Sequence, residues 1–386
     1  MKTNFKKLLY SGVTLMSIGI LVACSSTSSS MTTSSSAATS QSSAATTSSN
    51  STSSDSSSSS SIDWSALPTT EVTLSNDGLK ITEGGTYILT DSTTAGVTVE
   101  TDANVRIILA GAEISSSDTA AINVISADNV ELELQDGTTN TVKDTSNHTD
   151  TNIEGAIHVE ADLTITGNGS LTVEGNFQDG IVSTDDLVID AGNITVTAVD
   201  DGIRGKDSMT INGGTITVTA GGDGIKSTND TDTTKGYTTI TGGEITVKAG
   251  DDSIKAETAL TIDGGTISVP ESVEALEGTN ITINGGTIDV YGSDDAINAA
   301  STASSDIFIK VTGGDLTVAV GSGDTDAFDA NGDIYISGGA IDITAPTSAF
   351  DFDGTAELTG GTVTVNGEQI TEITASGPGA GGHGGW

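Results

Sequence analysis

The chain has 386 residues and a formal net charge of −40, because 53 Asp and Glu residues stand against 13 Lys and Arg residues. A chain with this charge repels nucleic acid and anionic lipid, so the composition excludes functions that depend on binding either of them. Cations are the small partners that it favours, and its single cysteine, Cys24, excludes a disulfide within the chain.

The first 23 residues have the pattern of a secretory signal. Three lysines precede an apolar stretch from Leu8 to Ala23, which is too short and too interrupted for a stable membrane span. The run Leu-Val-Ala-Cys, which ends at Cys24 and precedes two serines, resembles the bacterial lipoprotein box. This resemblance implies that residues 1–23 are removed and that Cys24 is lipidated. The protein would then be anchored by lipid on the extracellular face of the bacterial cell membrane, with no other contact to lipid.

Two segments are predicted to be flexible. Residues 24–61 are almost entirely Ser, Thr and Ala, and such a stretch has too little apolar surface to fold. We expect a disordered tether, since about 37 residues of random coil reach roughly 30–35 Å. Residues 371–386 are rich in glycine and are predicted to be a flexible tail.

Between these segments one phrase recurs: an apolar residue, a small polar one, Gly-Gly, and then Thr alternating with Ile or Val. It is clearest at 210–218, 261–269 and 282–290. A period of roughly 22 residues is typical of a stacked solenoid, and the alternation indicates strands. We therefore predict an all-β domain over residues 62–370, which forms a single right-handed parallel β-helix of about ten rungs.

Each full rung carries three strand signals. In the rung 209–227, Gly213-Gly214 supplies the turn between the first two strands, because glycine accepts a positive φ. Alternating aliphatic residues such as Ile211 and Ile216 are predicted to stack into the core. Threonines form outward columns, and Tyr335 shares the column of Thr282. Aromatic residues make up 3% of the chain, so the pattern assigns sugar contacts to no residue.

The third strand of each rung begins with an acidic residue. This position is occupied in successive rungs by Asp179, Asp201, Asp223, Asp252, Glu274, Asp295 and Asp326, and second acids precede it at Asp200, Asp251 and Asp294. Neighbouring carboxylates would lie roughly 5 Å apart, where repulsion is about 3–4 kcal/mol at an effective dielectric constant of 20. Such a ladder is destabilising unless something neutralises it.

Two neutralisers are available to the acidic ladder. Arg204, Lys226 and Lys255 each follow their Asp by three residues, but three cations are too few. Calcium is the second, because it takes six to eight carboxylate and carbonyl oxygens in loose geometry. The predicted calcium ligands are Asp200, Asp201, Asp223, Asp251 and Asp252, where the acids are densest. The alternative is a row of solvated charges without an ion.

Residues 71–366 resemble a family of secreted bacterial carbohydrate-binding β-helix domains, which are distantly related in fold to pectate lyases. The matching segments are Ile81–Tyr87, Asp136–Thr141, Asp200–Ser208 and Gly222–Ser227. The resemblance implies a right-handed helix, bound calcium, and non-catalytic binding of cellulosic or pectic polysaccharides. It carries calcium first to Asp200, Asp201 and Asp223, and from Pro270 onward the pattern departs.

The sequence leaves three functions open. The first is a non-catalytic polysaccharide-binding module, predicted to be a monomer. The second is a calcium-dependent polysaccharide lyase, which needs a base to abstract a proton from the uronate ring. Arg204, Lys226 and Lys255 are the only bases beside the acids, and their repetition indicates charge balancing. The third is a structural adhesin or spacer module.

Overall fold

The computed structural model describes residues 62–301, 304–323 and 325–375. The predicted signal peptide and tether, with Cys24, lie outside these residues, as does most of the predicted tail. The described part is all-β: a single 3-10 turn, Trp64–Ala66, precedes a long series of strands. Within these ranges no helix is long and apolar enough to cross a membrane.

Thirty-four strands belong to one sheet. In chain order they are β1 Thr69–Leu74, β2 Leu79–Ile81, β3 Gly85–Thr93, β4 Val97–Glu100, β5 Val105–Ser115, β6 Ile122–Ser126, β7 Asn129–Leu134, β8 Thr139–Lys143, β9 Gly155–Val159, β10 Asp162–Gly167, β11 Ser170–Gly175, β12 Asp179–Ser183, β13 Asp186–Ile189, β14 Asn193–Ala198, β15 Ile203–Gly205, β16 Ser208–Ile211, β17 Thr215–Ala220, β18 Ile225–Ser227, β19 Tyr237–Ile240, β20 Glu244–Lys248, β21 Ile254–Ile262, β22 Thr266–Glu271, β23 Leu276–Ile283, β24 Thr287–Gly292, β25 Ile297–Ala299, β26 Phe308–Val311, β27 Asp315–Val320, β28 Asp326–Ala330, β29 Asp333–Ile336, β30 Ala340–Thr344, β31 Ser348–Phe352, β32 Ala356–Leu358, β33 Thr362–Val365 and β34 Glu368–Ile370.

The strands stack in three parallel ladders, because each strand pairs with the strand one repeat further along the chain. The first ladder runs through β1, β3, β5, β7, β10, β13, β16, β19, β21, β23, β26, β29 and β32. The second contains β3, β5, β8, β11, β14, β17, β20, β22, β24, β27, β30 and β33. The third contains β2, β4, β6, β9, β12, β15, β18, β21, β23, β25, β28 and β31.

This arrangement confirms the predicted strands and their mostly parallel pairing. The short pairing of β33 with β34, near the end of the array, is antiparallel. The third ladder has twelve strands, so the array is longer than the expected ten or so rungs; β1 to β3 precede the region in which the repeat is readable. The stacking is consistent with a solenoid, and the right-handed coil stays a prediction.

The Gly-Gly pairs make the turns that the sequence predicts, and each glycine has its own reason. The second glycine has a positive φ, which is 92° at Gly214 and 96° at Gly286. At the first position there is no space for a side chain: a Cβ on Gly213 would lie 2.8 Å from the carbonyl oxygen of Asp190, one rung earlier. Backbone conformation and rung spacing therefore both require the pair.

Inward Ile, Val and Leu side chains form one continuous core that extends from Leu74 to Ile373. Asn140 is a polar exception, because it is fully buried and lies in register with Leu171 and, one rung further, Ile194. Its amide oxygen accepts the N–H groups of Gly111 and Ala112 at 2.8 and 2.9 Å, and its Nδ2 donates to Thr138 and Ser170. All of its hydrogen bonds are made, as a polar group inside an apolar column requires.

Candidate functional site

The acidic positions of the third ladder stack in register, as the sequence predicts. Ile181, Ile203, Ile225 and Ile254 are paired from rung to rung, and an aspartate lies two residues before each. These four aspartates are buried and not solvated. Asp179, Asp201, Asp223 and Asp252 are 3–7% exposed.

Backbone N–H groups supply some of the hydrogen bonds that these buried carboxylates need. Oδ1 of Asp179 accepts the N–H of Asp201 at 3.1 Å, and Oδ1 of Asp201 accepts the N–H of Asp223 at 2.9 Å. The series continues with the N–H of Asp252, which donates to Oδ1 of Asp223 at 3.0 Å. Each aspartate therefore binds the amide of its successor, and the acid column also ties neighbouring rungs together.

Three cations bind the other carboxylate oxygens, each between two rungs. Arg204 contacts Glu154 and, at 2.9 Å, Asp179. Lys226 lies between Asp201 and Asp223, at 2.5 and 2.9 Å from their Oδ2 atoms. The third cation, Lys255, contacts Oδ2 of Asp252 at 2.8 Å and also Glu277.

These contacts keep the cations protonated. Burial lowers the pKa of Lys226, but its hydrogen bonds to Asp201 and Asp223 and their charges outweigh burial, so its pKa is raised. Burial also lowers the pKa of Lys255 and of Arg204, but their acidic partners outweigh it, so both pKa values are raised. A side chain held in this way is a structural counter-ion and a poor general base.

The cations alternate with groups of acids along the stack. In the first group, carboxylate oxygens of Asp179, Asp200 and Asp201 lie within 4.8 Å of one another. In the second group the same holds for Asp223, Asp251 and Asp252. Among the described residues, no ion pair bridges Asp179 to Asp201 or Asp223 to Asp252. The acids therefore crowd at the two junctions that lack a cation.

Each group combines two buried acids with one exposed acid, Asp200 or Asp251. Burial, and then the charge of Asp201, raises the pKa of Asp200; burial and Asp252 do the same for Asp251. At Gly222, a Cβ would lie 2.5 Å from Oδ1 of Asp200 and 2.9 Å from Oδ1 of Asp201, so only glycine leaves room for both carboxylates at this position. An all-oxygen donor set of this kind fits a hard divalent cation.

The five predicted ligands therefore fall into two groups. Asp200 and Asp201 belong to the first, and Asp223, Asp251 and Asp252 to the second. The prediction missed Asp179 as a member of the first group, because its rung has Gln178 where the next rung has a second acid.

A third group of acids, Asp252, Glu274 and Glu277, is also close enough to hold a metal ion. Lys255 already lies between Asp252 and Glu277. Burial is the main cause that raises the pKa of Asp252 and of Glu274 to about 7. Because Lys255 already neutralises the third group, this group is the poorest of the three for an added cation.

Farther along the third ladder, the column that contains Arg204, Lys226 and Lys255 continues mostly with acidic residues. Lys255 is in register with Glu277, which is followed by Asn298, Asp329 and Asp351. Burial, followed by the charges of Asp295, Asp326 and Asp351, raises the pKa of Asp329 to about 7. Burial also raises the pKa of Asp295 to about 6. Asp329 and Asp295 share a hydrogen bond, for which Asp329 retains the proton.

The Asp295–Asp329 pair predicts a stability that falls as the pH rises. Folding raises both pKa values above the ordinary value of 3.8. Between pH of about 4 and about 7 the folded chain retains protons that the unfolded chain has lost, so the free energy of unfolding decreases across this range. Asp329→Asn should raise the melting temperature at pH 8 by a few degrees and change it little near pH 4. Differential scanning calorimetry in chelator measures this effect.

The control for this prediction is Asp342→Asn, which removes one exposed acid elsewhere on the surface. Equal pH profiles for Asp329→Asn and the wild-type protein would show that the buried pair does not titrate as described.

Comparison with known proteins finds a carbohydrate-binding family. Residues 75–327 match a protein family described as carbohydrate-binding domain-containing protein. A carbohydrate-binding domain-containing protein of Acetivibrio thermocellus is 34% identical over an alignment of 135 residues, and the match covers 33% of this chain. The match spans 47% of that relative, or about half of its length.

A solved structure is also similar. It is the structure of the polysaccharide lyase-like protein from C. thermocellum, solved as a gadolinium derivative. It is 34% identical with a TM-score of 0.50, and the match covers 52% of this chain and 90% of that one. The first two acid groups lie inside the segment that matches the family, whereas Asp329 lies beyond it.

Proposed function

Because the chain belongs to the family of carbohydrate-binding domain-containing proteins, we propose that it binds polysaccharide without cleaving it. Its three parallel ladders would coil into a right-handed parallel β-helix, since crossovers between parallel strands are right-handed in nearly all proteins. The glycans that the sequence resemblance implies are cellulosic or pectic. The chain would act as a monomer.

The positions of the three cations support binding rather than lyase chemistry. If one of Arg204, Lys226 and Lys255 were the base of a lyase, it would have to lose its proton and reach a substrate. Each of them contacts two carboxylates, and each has a raised pKa. The similar protein from C. thermocellum is described as lyase-like, but this description does not identify a catalytic base in the present chain.

The full chain should bind a polysaccharide and leave it intact. We expect its migration to be retarded in native gels that contain hydroxyethyl cellulose or polygalacturonate. With polygalacturonate and calcium, the ultraviolet absorbance of unsaturated uronate ends should stay at the level of a protein-free control. Migration unaffected by both polymers would contradict the proposed function, and a rise in absorbance would establish the lyase alternative.

We propose calcium as the ion for the first two acid groups. Asp179, Asp200 and Asp201 would hold one ion, and Asp223, Asp251 and Asp252 another. The support is the alternation along the ladder, since added cations would fill the two junctions that Arg204, Lys226 and Lys255 leave unbridged. The similar structure is titled a gadolinium derivative, and Gd³⁺ shares with Ca²⁺ a preference for hard oxygen ligands. Bound calcium would offset repulsion between stacked carboxylates.

Calcium should raise the melting temperature of the full chain relative to chelator. An ion that binds the folded state alone stabilises it by about 2.7 kcal/mol at a hundredfold excess over the dissociation constant. Asp200→Asn combined with Asp251→Asn should abolish this increase. It should not lower stability in chelator, because both acids are exposed and are repelled by the carboxylates beside them. Replacing Asp201 or Asp223 would be a poorer test, since their carboxylates accept backbone N–H groups.

The matched control is Asp289→Asn combined with Asp342→Asn, which removes two exposed acids from the second ladder. Calcium should stabilise this variant as much as the wild-type protein. A calcium effect of the same size in both double variants would show that the ions bind elsewhere, and no effect in the wild-type protein would exclude a calcium site.

We also propose that lipid at Cys24 holds the protein on the outer face of the cell membrane. The support is the signal pattern before Cys24 and the resemblance to a lipoprotein box. Cys24→Ser should release the protein from the membrane fraction or leave it unprocessed, whereas the neighbouring change Ser25→Ala should do neither. Fractionation and electrophoretic size measure both outcomes. A Cys24→Ser protein of normal size in the membrane fraction would overturn this proposal.

A further inference from the structure

An open groove of about 520 Å³ lies on the outward side of the first ladder, far along the chain from the first two acid groups. It spans three successive strands, β26, β29 and β32, of which the outer two are roughly 10 Å apart. Phe308 and Lys310 from β26, Asp333 and Tyr335 from β29, and Glu357 from β32 line it.

The groove begins where the threonine column ends. Thr210, Thr239, Thr261 and Thr282 are paired in succession, and the next three positions of that column are Lys310, Tyr335 and Glu357. Phe308 occupies the adjacent outward column and is in register with Asp333. The rings of Phe308 and Tyr335 are therefore diagonal neighbours on one face, within reach of a common ligand.

Tyr335 is held in place by its neighbours. Its hydroxyl donates to Oδ2 of Asp333 at 2.7 Å, and Oδ1 of Asp333 accepts the backbone N–H of Thr355 at 2.6 Å. The hydrogen bond to Asp333, then burial, raises the pKa of Tyr335, so the hydroxyl is uncharged at neutral pH. A ring that is fixed before a ligand arrives loses little freedom on binding.

The charge of the groove selects among ligands. Asp306, Asp333 and Glu357 carry three negative charges and Lys310 carries one positive charge, so the formal sum is −3 + 1 = −2. A uronate chain would bring further negative charge to this surface, which is unfavourable. A neutral sugar presents hydroxyl donors to the carboxylates and a C–H face to the aromatic rings.

We propose that this groove is the polysaccharide-contact site and that it takes a neutral glycan chain. The inference rests on the proposed function and adds the location of the binding site and the class of its ligand. The family match ends at residue 327, so Asp333, Tyr335 and Glu357 lie outside the shared segment. The groove therefore depends on residues that follow the family segment, and it is remote from the proposed calcium ligands.

The test compares variants of the full chain, in chelator, for affinity to hydroxyethyl cellulose and to polygalacturonate. Tyr335→Ala and Phe308→Ala should each weaken binding of the neutral polymer about tenfold, because each removes an aromatic contact. Tyr335→Phe keeps the ring and should retain most of the affinity. The matched control is Tyr237→Ala, since Tyr237 is an exposed tyrosine in the same outward column as Phe308.

The outcomes separate this proposal from the proposed function. Wild-type binding that none of the three groove variants weakens would place the polysaccharide elsewhere and leave the proposed function intact. Binding of polygalacturonate alone would overturn the neutral ligand class. Binding of neither polymer would contradict both proposals. Unchanged melting temperatures of the variants show that a loss of affinity comes from the groove and not from unfolding.

Discussion

Parallel stacking at one strand spacing is the constraint on which the rest of the structure depends. It places equivalent residues roughly 4.8 Å apart in successive rungs, so a residue type that recurs in the repeat contacts the same residue type in the next rung. For Ile and Val this repetition creates the core. For aspartate it creates repulsion that must be offset at each junction. The series of Oδ1 contacts to the next amide is one offset, and it works because the acid and the amide repeat together.

The second offset is uneven along the chain. Arg204, Lys226 and Lys255 stand in one column, and each is shared by two rungs, so adjacent cations leave alternate junctions without one. The extra acids Asp200 and Asp251 occur at those junctions, where they increase the local charge. This placement makes sense for a cation site and is costly for a solvated surface. Beyond Glu277 the column has no cation, and there a proton shared by two carboxyl groups reduces the charge.

Sequence reasoning predicted the strands, the Gly-Gly turns and the register of the acids, because each of these repeats with the rungs. It did not predict burial, since the alternation of a strand does not show how closely Lys226 and the next rung pack against Asp201 and Asp223. It also missed Asp179, whose membership depends on Asp200 from the next rung. The groove was predicted only in part: the repeat places Tyr335 in the column of Thr282, whereas Phe308 and Asp333 belong to the adjacent column, in which no repeated residue type marks them.

The interruptions of the repeat carry the specific chemistry. Where the rungs repeat faithfully, the outward face is a column of threonines with no distinguishing feature. Lys310, Tyr335 and Glu357 end that column, and Phe308 lies beside it, so aromatic rings and carboxylates meet at this end of the column. The acid groups belong to the third ladder and the groove to the first. The ions proposed for the acid groups would therefore stabilise the stack while the sugar binds at a separate surface. In this arrangement the proposed calcium ions would influence glycan binding through the stability of the rungs and not by contact with the glycan.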